Sequence, residues 1–151
     1  MTFKALTAAV LLSLAPAAAL AACPPQDAAP VAGTLREMYA ALSADDAAGF
    51  QGVVTPDFYS YDAGKRFDGM ALFELVKKAH ADGKTLVWTV QEPATTVACD
   101  LAWITYVNTG SATTAKDGTK PIIWLESAVL NHDGTRWRIR FFHSTRAAPT
   151  P

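Results

Sequence analysis

Residues 124–146 read WLESAVLNHDGTRWRIRFFHSTR. Two apolar runs flank Asp133-Gly134, a dipeptide that favours a two-residue hairpin turn because both central positions of that turn take positive φ. Such a turn places Leu130 opposite Trp137, Ala128 opposite Ile139, Glu126 opposite Phe141 and Trp124 opposite His143. Side chains alternate along a strand, so all of these project from one side of the sheet. Ile123, Leu125, Ser127, Val129, Arg138, Arg140, Phe142 and Ser144 take the other side. The first side is the heavier apolar face and is expected to lie under helices. Glu126 and His143 then become diagonal neighbours on the inward face, within reach of each other. A carboxylate among Trp, Phe and Leu is costly unless it is hydrogen-bonded or paired. Two readings stay open: a satisfied structural contact, or a sheet curved around a cavity where the pair handles a ligand.

Upstream of this hairpin the period-two pattern continues. Leu86–Val90 is one strand, extended by Thr95–Ala98 beyond a bulge at Pro93; Leu101–Thr109, Pro121–Asn131 and Thr135–Thr145 follow. Further upstream the spacing becomes helical. Leu35, Met38, Tyr39 and Leu42 form one apolar stripe, and Asp45 or Asp46 can cap a short second helix carrying Phe50. Thr55-Pro56-Asp57 breaks it, Phe58–Tyr61 reads as a short strand, and Asp62-Ala63-Gly64-Lys65 turns. Asp68 is expected to cap a third helix bearing Leu72, Phe73, Val76 and His80, closed by Gly83. Helices followed by long antiparallel strands give an α+β fold with helices on one sheet face.

The chain has 151 residues, half of them apolar and 18% charged, which suits one compact domain with a real core. A net charge of −1 without any basic run gives no footing for nucleic-acid binding. Residues 1–22 combine Lys4, an Ala/Leu/Val stretch and small residues before Cys23, the pattern of a secretory signal peptide. Pro16 interrupts the run and no basic stop-transfer residues follow, which argues against a membrane span. The expected location is therefore the periplasm. Leu20-Ala21-Ala22-Cys23 resembles a lipobox, in which the cysteine is acylated and anchors the protein to a membrane facing the periplasm. The alternative is ordinary cleavage, which frees Cys23 to pair with Cys99 in an oxidising compartment. Residues 23–30 form a Pro-rich linker, 31–146 the domain and 147–151 a tail.

The three histidines, His80, His132 and His143, lack metal-ligand spacing, so no metal and no cofactor are expected. Gly83-Lys84-Thr85 lacks the earlier glycine of a phosphate loop, and no Gly-x-Ser-x-Gly supports a serine hydrolase.

The order of elements and the ending Glu126-Ser127-Ala128-Val129, Asp133-Gly134, Trp137-Arg138-Ile139, Phe142-His143-Ser144-Thr145 resemble the nuclear transport factor two-like superfamily. Its SnoaL-like branch and the calcium/calmodulin-dependent kinase hub domain are the most similar. The resemblance covers about Val31 to Arg146. It implies a cone: a strongly bent antiparallel sheet wrapped around a pocket closed by the N-terminal helices. By the same resemblance Trp124 and Phe141 would line the wall, and Tyr59 and Tyr61 would offer phenol donors. The hub's pocket arginine after its Glu-Thr pair corresponds to Ala128, which removes that basis for an anion site. Ketosteroid isomerases of the superfamily use an aspartate base; Asp57, Asp62 and Asp68 are candidates by composition only, with Asp62 better read as a turn former and Asp68 as a cap.

Arg136, Arg138, Arg140 and Arg146 recur with Leu125, Val129 and Phe142 on the outer face, too apolar for a purely solvated surface. The resemblance implies a homodimer through that face. Two functional expectations follow. One is an exported domain binding a small, partly apolar molecule. The other is a small cofactor-free isomerase, cyclase or dehydratase with Glu126 or His143 as acid or base. A dimeric structural module without a ligand is the third.

Overall fold

The structure is a computed structural model that describes residue 23 and residues 27–147. The expected signal peptide and the last four residues lie outside the described part. Nine elements follow in order: α1 (Ala29–Ser43), α2 (Ala47–Val53), β1 (Val54–Asp62), β2 (Lys65–Asp68), α3 (Ala71–Ala81), β3 (Thr85–Ala98), β4 (Leu101–Thr114), β5 (Gly118–His132) and β6 (Trp137–Arg146). This is the α+β arrangement expected. The six strands form one curved, unclosed sheet in the order β2-β1-β6-β5-β4-β3. Neighbours are antiparallel except β1 and β6, which run parallel, so the chain's early strand inserts beside its last.

The helices form where the apolar stripes predict. α1 buries Leu35, Met38, Tyr39 and Leu42, and Pro30 sits in its first turn, where a missing N–H costs nothing. α2 is capped by Asp46, whose Oδ1 accepts from Gly49 N at 2.9 Å. α3 buries Leu72, Phe73 and Val76. These faces meet the concave side of the sheet, where Phe58, Ile104, Leu130 and Ile139 are fully buried. Each such side chain contributes about 1.5–3 kcal/mol by leaving water.

Several boundaries differ from the sequence reading. β1 starts at Val54, before the expected breaker; its pairing with β6 is irregular between Val54 and Tyr59, which accommodates Pro56. Asp68 does not cap α3. It ends β2 and pairs with Arg66 at 2.6 Å, and the position before α3 is Met70, without a side-chain cap. The bulge near Pro93 is present, between Gln91 and Ala94.

Cys23 and Cys99 are joined by a disulfide that pins the segment before α1 to the β3–β4 turn. The bond uses the sulfur that acylation would need, so the two fates of Cys23 exclude each other. Closing 76 residues of separation constrains the unfolded chain. Cys99→Ser is expected to lower stability by about 2–5 kcal/mol in urea denaturation. An intact mass of the mature protein with free thiols, or with an acyl chain on Cys23, would contradict the bond.

Candidate functional site

The hairpin that set the expectation turns differently. Asp133 Oδ1 accepts from Thr135 N and Arg136 N, both at 2.9 Å, and from Thr135 Oγ1 at 2.6 Å. These bonds close a wider reversal in which His132 faces Trp137 and Leu130 faces Ile139. They also hold the Asp133 carboxyl well below the usual carboxylate range. Widening by two residues preserves the inward direction of Trp137 and Ile139. A bulge then follows: Leu130 faces Ile139 but Val129 faces Phe141, which leaves Arg140 as the extra residue. One extra residue reverses every later side chain. Phe142 and Ser144 therefore point inward, and Phe141 and His143 point out.

Glu126 and His143 are consequently on opposite faces, and the expected acid–imidazole pair does not form. Glu126 faces Ser144, while His143 faces Ser127 and is exposed. Phe141, Tyr59 and Tyr61 do not line a pocket wall. They make an aromatic cluster on the outer face, with Tyr59 and Tyr61 ring centroids 5.0 and 6.0 Å from that of Phe141. The Arg66 guanidinium lies 4.1 Å from the centre of the Tyr59 ring. Trp124 alone of the expected wall residues faces inward, 8% exposed.

Inside the cone, Glu126 is only 6% exposed and is held from three other elements. Tyr39 of α1 donates to Oε2 at 2.5 Å, Asn108 Nδ2 of β4 to the same oxygen at 3.0 Å, and Ser144 Oγ of β6 to Oε1 at 2.9 Å. Because the Tyr39 proton goes to Glu126, the 3.1 Å contact between the Tyr39 and Tyr106 hydroxyls has Tyr106 as donor. Asn108 is fixed in turn by Thr89 N, which donates to its Oδ1 at 2.8 Å. Burial raises the Glu126 pKa above its ordinary 4.5, and the donated hydrogen bonds offset part of that rise. Burial also pushes the Tyr39 and Tyr106 hydroxyls well above the ordinary tyrosine range, aided by the nearby carboxylate.

Ser144 connects this cluster to a cleft of about 270 Å³ between α3, the start of β3 and the ends of β1 and β6. Leu42, Leu72, Val76, Leu86, Trp88 and Trp124 supply apolar lining, and Asp62, Lys84, Ser144 and Arg146 supply polar groups. Gly110 lets β3 and β4 approach closely beside these indoles: a Cβ there would collide with the Val87 carbonyl and sit 3.2 Å from the Trp124 ring. Asp62, read from sequence as a turn former, does pair with Lys65 at the β1–β2 turn, yet it also lines the cleft. Burial raises its pKa above 3.8; the Ala63 backbone, Arg146 and His143 lower it in part.

The sequence reading missed Trp88 and Ser144 at the cleft, and Tyr39, Tyr106 and Asn108 around the carboxylate; it had Asp62 as a candidate base by composition only and preferred a turn role for it. Only Asn108 had a visible signal. It continues the inward alternation Ala102, Ile104, Tyr106 as a fully buried polar residue that must find partners.

Residues 31–149 match the SnoaL-like domain family. Among solved structures, the hub of the CaMKII kinase from S. rosetta superposes with a TM-score of 0.66 at 22% identity, covering 82% of this chain and 99% of that one. A ketosteroid isomerase-like protein from Erwinia carotovora atroseptica gives 0.65 at 16%, covering 81% and 97%. An NTF2-like family protein from Streptomyces avermitilis gives 0.69 at 12%, covering 82% and 97%. No curated protein matches the chain. At these identities the likeness concerns the fold.

The buried carboxylate has a measurable pH signature. A folded-state pKa raised above 4.5 means that the folded protein holds the proton longer, so stability falls as pH rises from 4.5 through the raised value and then levels. Glu126→Gln removes that titration and sets an amide donor against incoming donors. It is expected to cost about 1–3 kcal/mol, with the gap from wild type widest at acid pH and narrowing toward neutrality. Urea titrations across that range check it; a gap that widens with pH would contradict the assignment.

Proposed function

The chain belongs to the SnoaL-like domain family, and from that premise we propose that it is an exported domain binding a small, partly apolar molecule in the cleft beneath α3. One observation carries this reading: the cleft joins an apolar wall with two indoles to a few polar groups at one end, the composition of ligand pockets generally. Its size lies just below that of sites for drug-sized molecules, which favours a compact ligand. Export to the periplasm is the reading of residues 1–22, and the Cys23–Cys99 disulfide suits an oxidising compartment. Acylation of Cys23 would instead anchor the protein to a membrane facing the periplasm.

A second reading makes the domain a cofactor-free acid/base enzyme, and it is favoured by Asp62. This carboxyl is partly buried in the cleft and perturbed toward its protonated form, as general acids and bases are. Glu126, enclosed by donors, and His143, on the other face, suit the role less well. A similar fold in a ketosteroid isomerase-like protein is compatible with this chemistry but does not select it.

The two readings separate in one set of variants. Ala79→Trp fills the cleft from α3 and is expected to abolish the thermal stabilisation that small apolar metabolites give the wild-type protein. Asp62→Asn is expected to keep that stabilisation. If it also removes turnover of an enolisable ketone, the enzyme reading stands; unchanged turnover removes it. Stabilisation that survives Ala79→Trp would place the ligand elsewhere.

The outer face supports self-association. Trp103, Ile123 and Leu125 are 45%, 49% and 51% exposed on adjacent strands β4 and β5, and similar folds include a hub and an association domain of CaMKII. We read this face as the contact with a second copy of the chain. Leu125→Glu is expected to convert a dimer into a monomer in light scattering; a wild-type monomer would end this reading.

A further inference from the structure

We propose that the molecule held in the cleft is a small organic anion, a compact aromatic or alicyclic carboxylic acid whose charged group lies between Lys84 and Arg146 while its ring rests against Trp88 and Trp124. This rests on the cleft being the binding site. The first support is the charge of the lining. Lys84 and Arg146 stand against a single acidic group, Asp62, so the polar end carries an excess of positive charge. The second is where these cations stand. Neither has a carboxylate within 4.0 Å among the described residues; the same holds for Arg36, Lys65, Lys77 and Lys116, but only Lys84 and Arg146 also line this cleft, with Asp62 near Arg146. A guanidinium beside an apolar wall suits a carboxylate because it can donate two parallel bonds.

The third support is the wall itself. Trp88 and Gly110 are opposite residues on β3 and β4, and the Trp124 ring packs over Gly110 from β5. Both indoles line the cleft, one 8% exposed and the other stacked on Tyr39 with ring centroids 5.4 Å apart. Such surfaces favour flat rings. The cations come from the α3–β3 junction and the end of β6, so they lie at the rim while the rings line the interior. An amphipathic acid fits that polarity; a neutral hydrocarbon leaves the rim unused, and a polyanion finds only two partners.

Calorimetric titration of the mature protein with benzoate, cinnamate and 2-naphthoate, each beside its own primary amide, tests this. The acid of at least one pair is expected to bind about tenfold more tightly than the amide, the yield of two partly exposed charge contacts. The preference should shrink as salt is raised. Lys84→Gln with Arg146→Gln should bring acid and amide to the same affinity by weakening the acid alone. Asp62→Asn should strengthen the acid, since a repelling charge is removed. Equal binding of acid and amide to the wild type, or an acid preference that survives loss of both cations, overturns the anion assignment while leaving the cleft reading in place. Binding that persists in Ala79→Trp, or none by any probe, overturns the cleft reading and this inference together.

Discussion

A carboxylate buried inside the cone constrains the rest of the structure. Glu126 sits on the central part of β5, only 6% exposed, so its charge is tolerable only because donors converge on it. Those donors come from α1, β4 and β6. The helix can therefore neither rotate nor slide along the sheet without abandoning the Tyr39 bond, and β6 cannot slip by one residue without turning the Ser144 hydroxyl away from Glu126. A hydrophobic stripe alone would leave α1 several acceptable seats over the sheet. The directional bonds select one.

That selection explains what was and was not legible in the sequence. The helical stripes of α1 and α3 and the alternation of β3 to β5 follow from burial, which acts on residue type and spacing, so the α+β fold could be read directly. The inward placement of Glu126 and Trp124 followed from the same alternation. The partner of Glu126 did not, because it depends on the extra residue Arg140 in β6, and a bulge leaves no mark in apolar periodicity. Asp133-Gly134 invited a two-residue turn, yet the Asp133 side chain found better partners in Thr135 and Arg136 and opened the reversal. Arg140 escapes the ladder and reaches Asp57 at 3.0 Å, on the irregular part of β1 that also bends there. Both irregularities meet at the same place in the sheet, where two neighbouring strands share the curvature.

The bend also separates two ends of the cone. At one end the disulfide ties residue 23 to the β3–β4 turn, and His132 N bonds the Asp100 carbonyl at 2.7 Å, so the start of α1 and the turns beneath it are fastened together. At the other end, the end of β1, the end of β6 and the start of β3 diverge under α3 and leave the cleft. The covalent link and the open site lie at opposite ends of the strands, with the Glu126 cluster between them.

Ser144 is where the structural cluster and the cleft meet, and its hydrogen bonding fixes what the cleft floor can offer. Its hydroxyl has one proton, which goes to Glu126 Oε1, so toward the cleft the oxygen can only accept. Asp62 when ionised is likewise an acceptor, whereas Lys84 and Arg146 can only donate. Ser144 and Asp62 thus offer acceptors to the cleft, and Lys84 and Arg146 offer donors. Through its one bond with Ser144 the buried carboxyl also sets the hydrogen-bonding sense of the cleft.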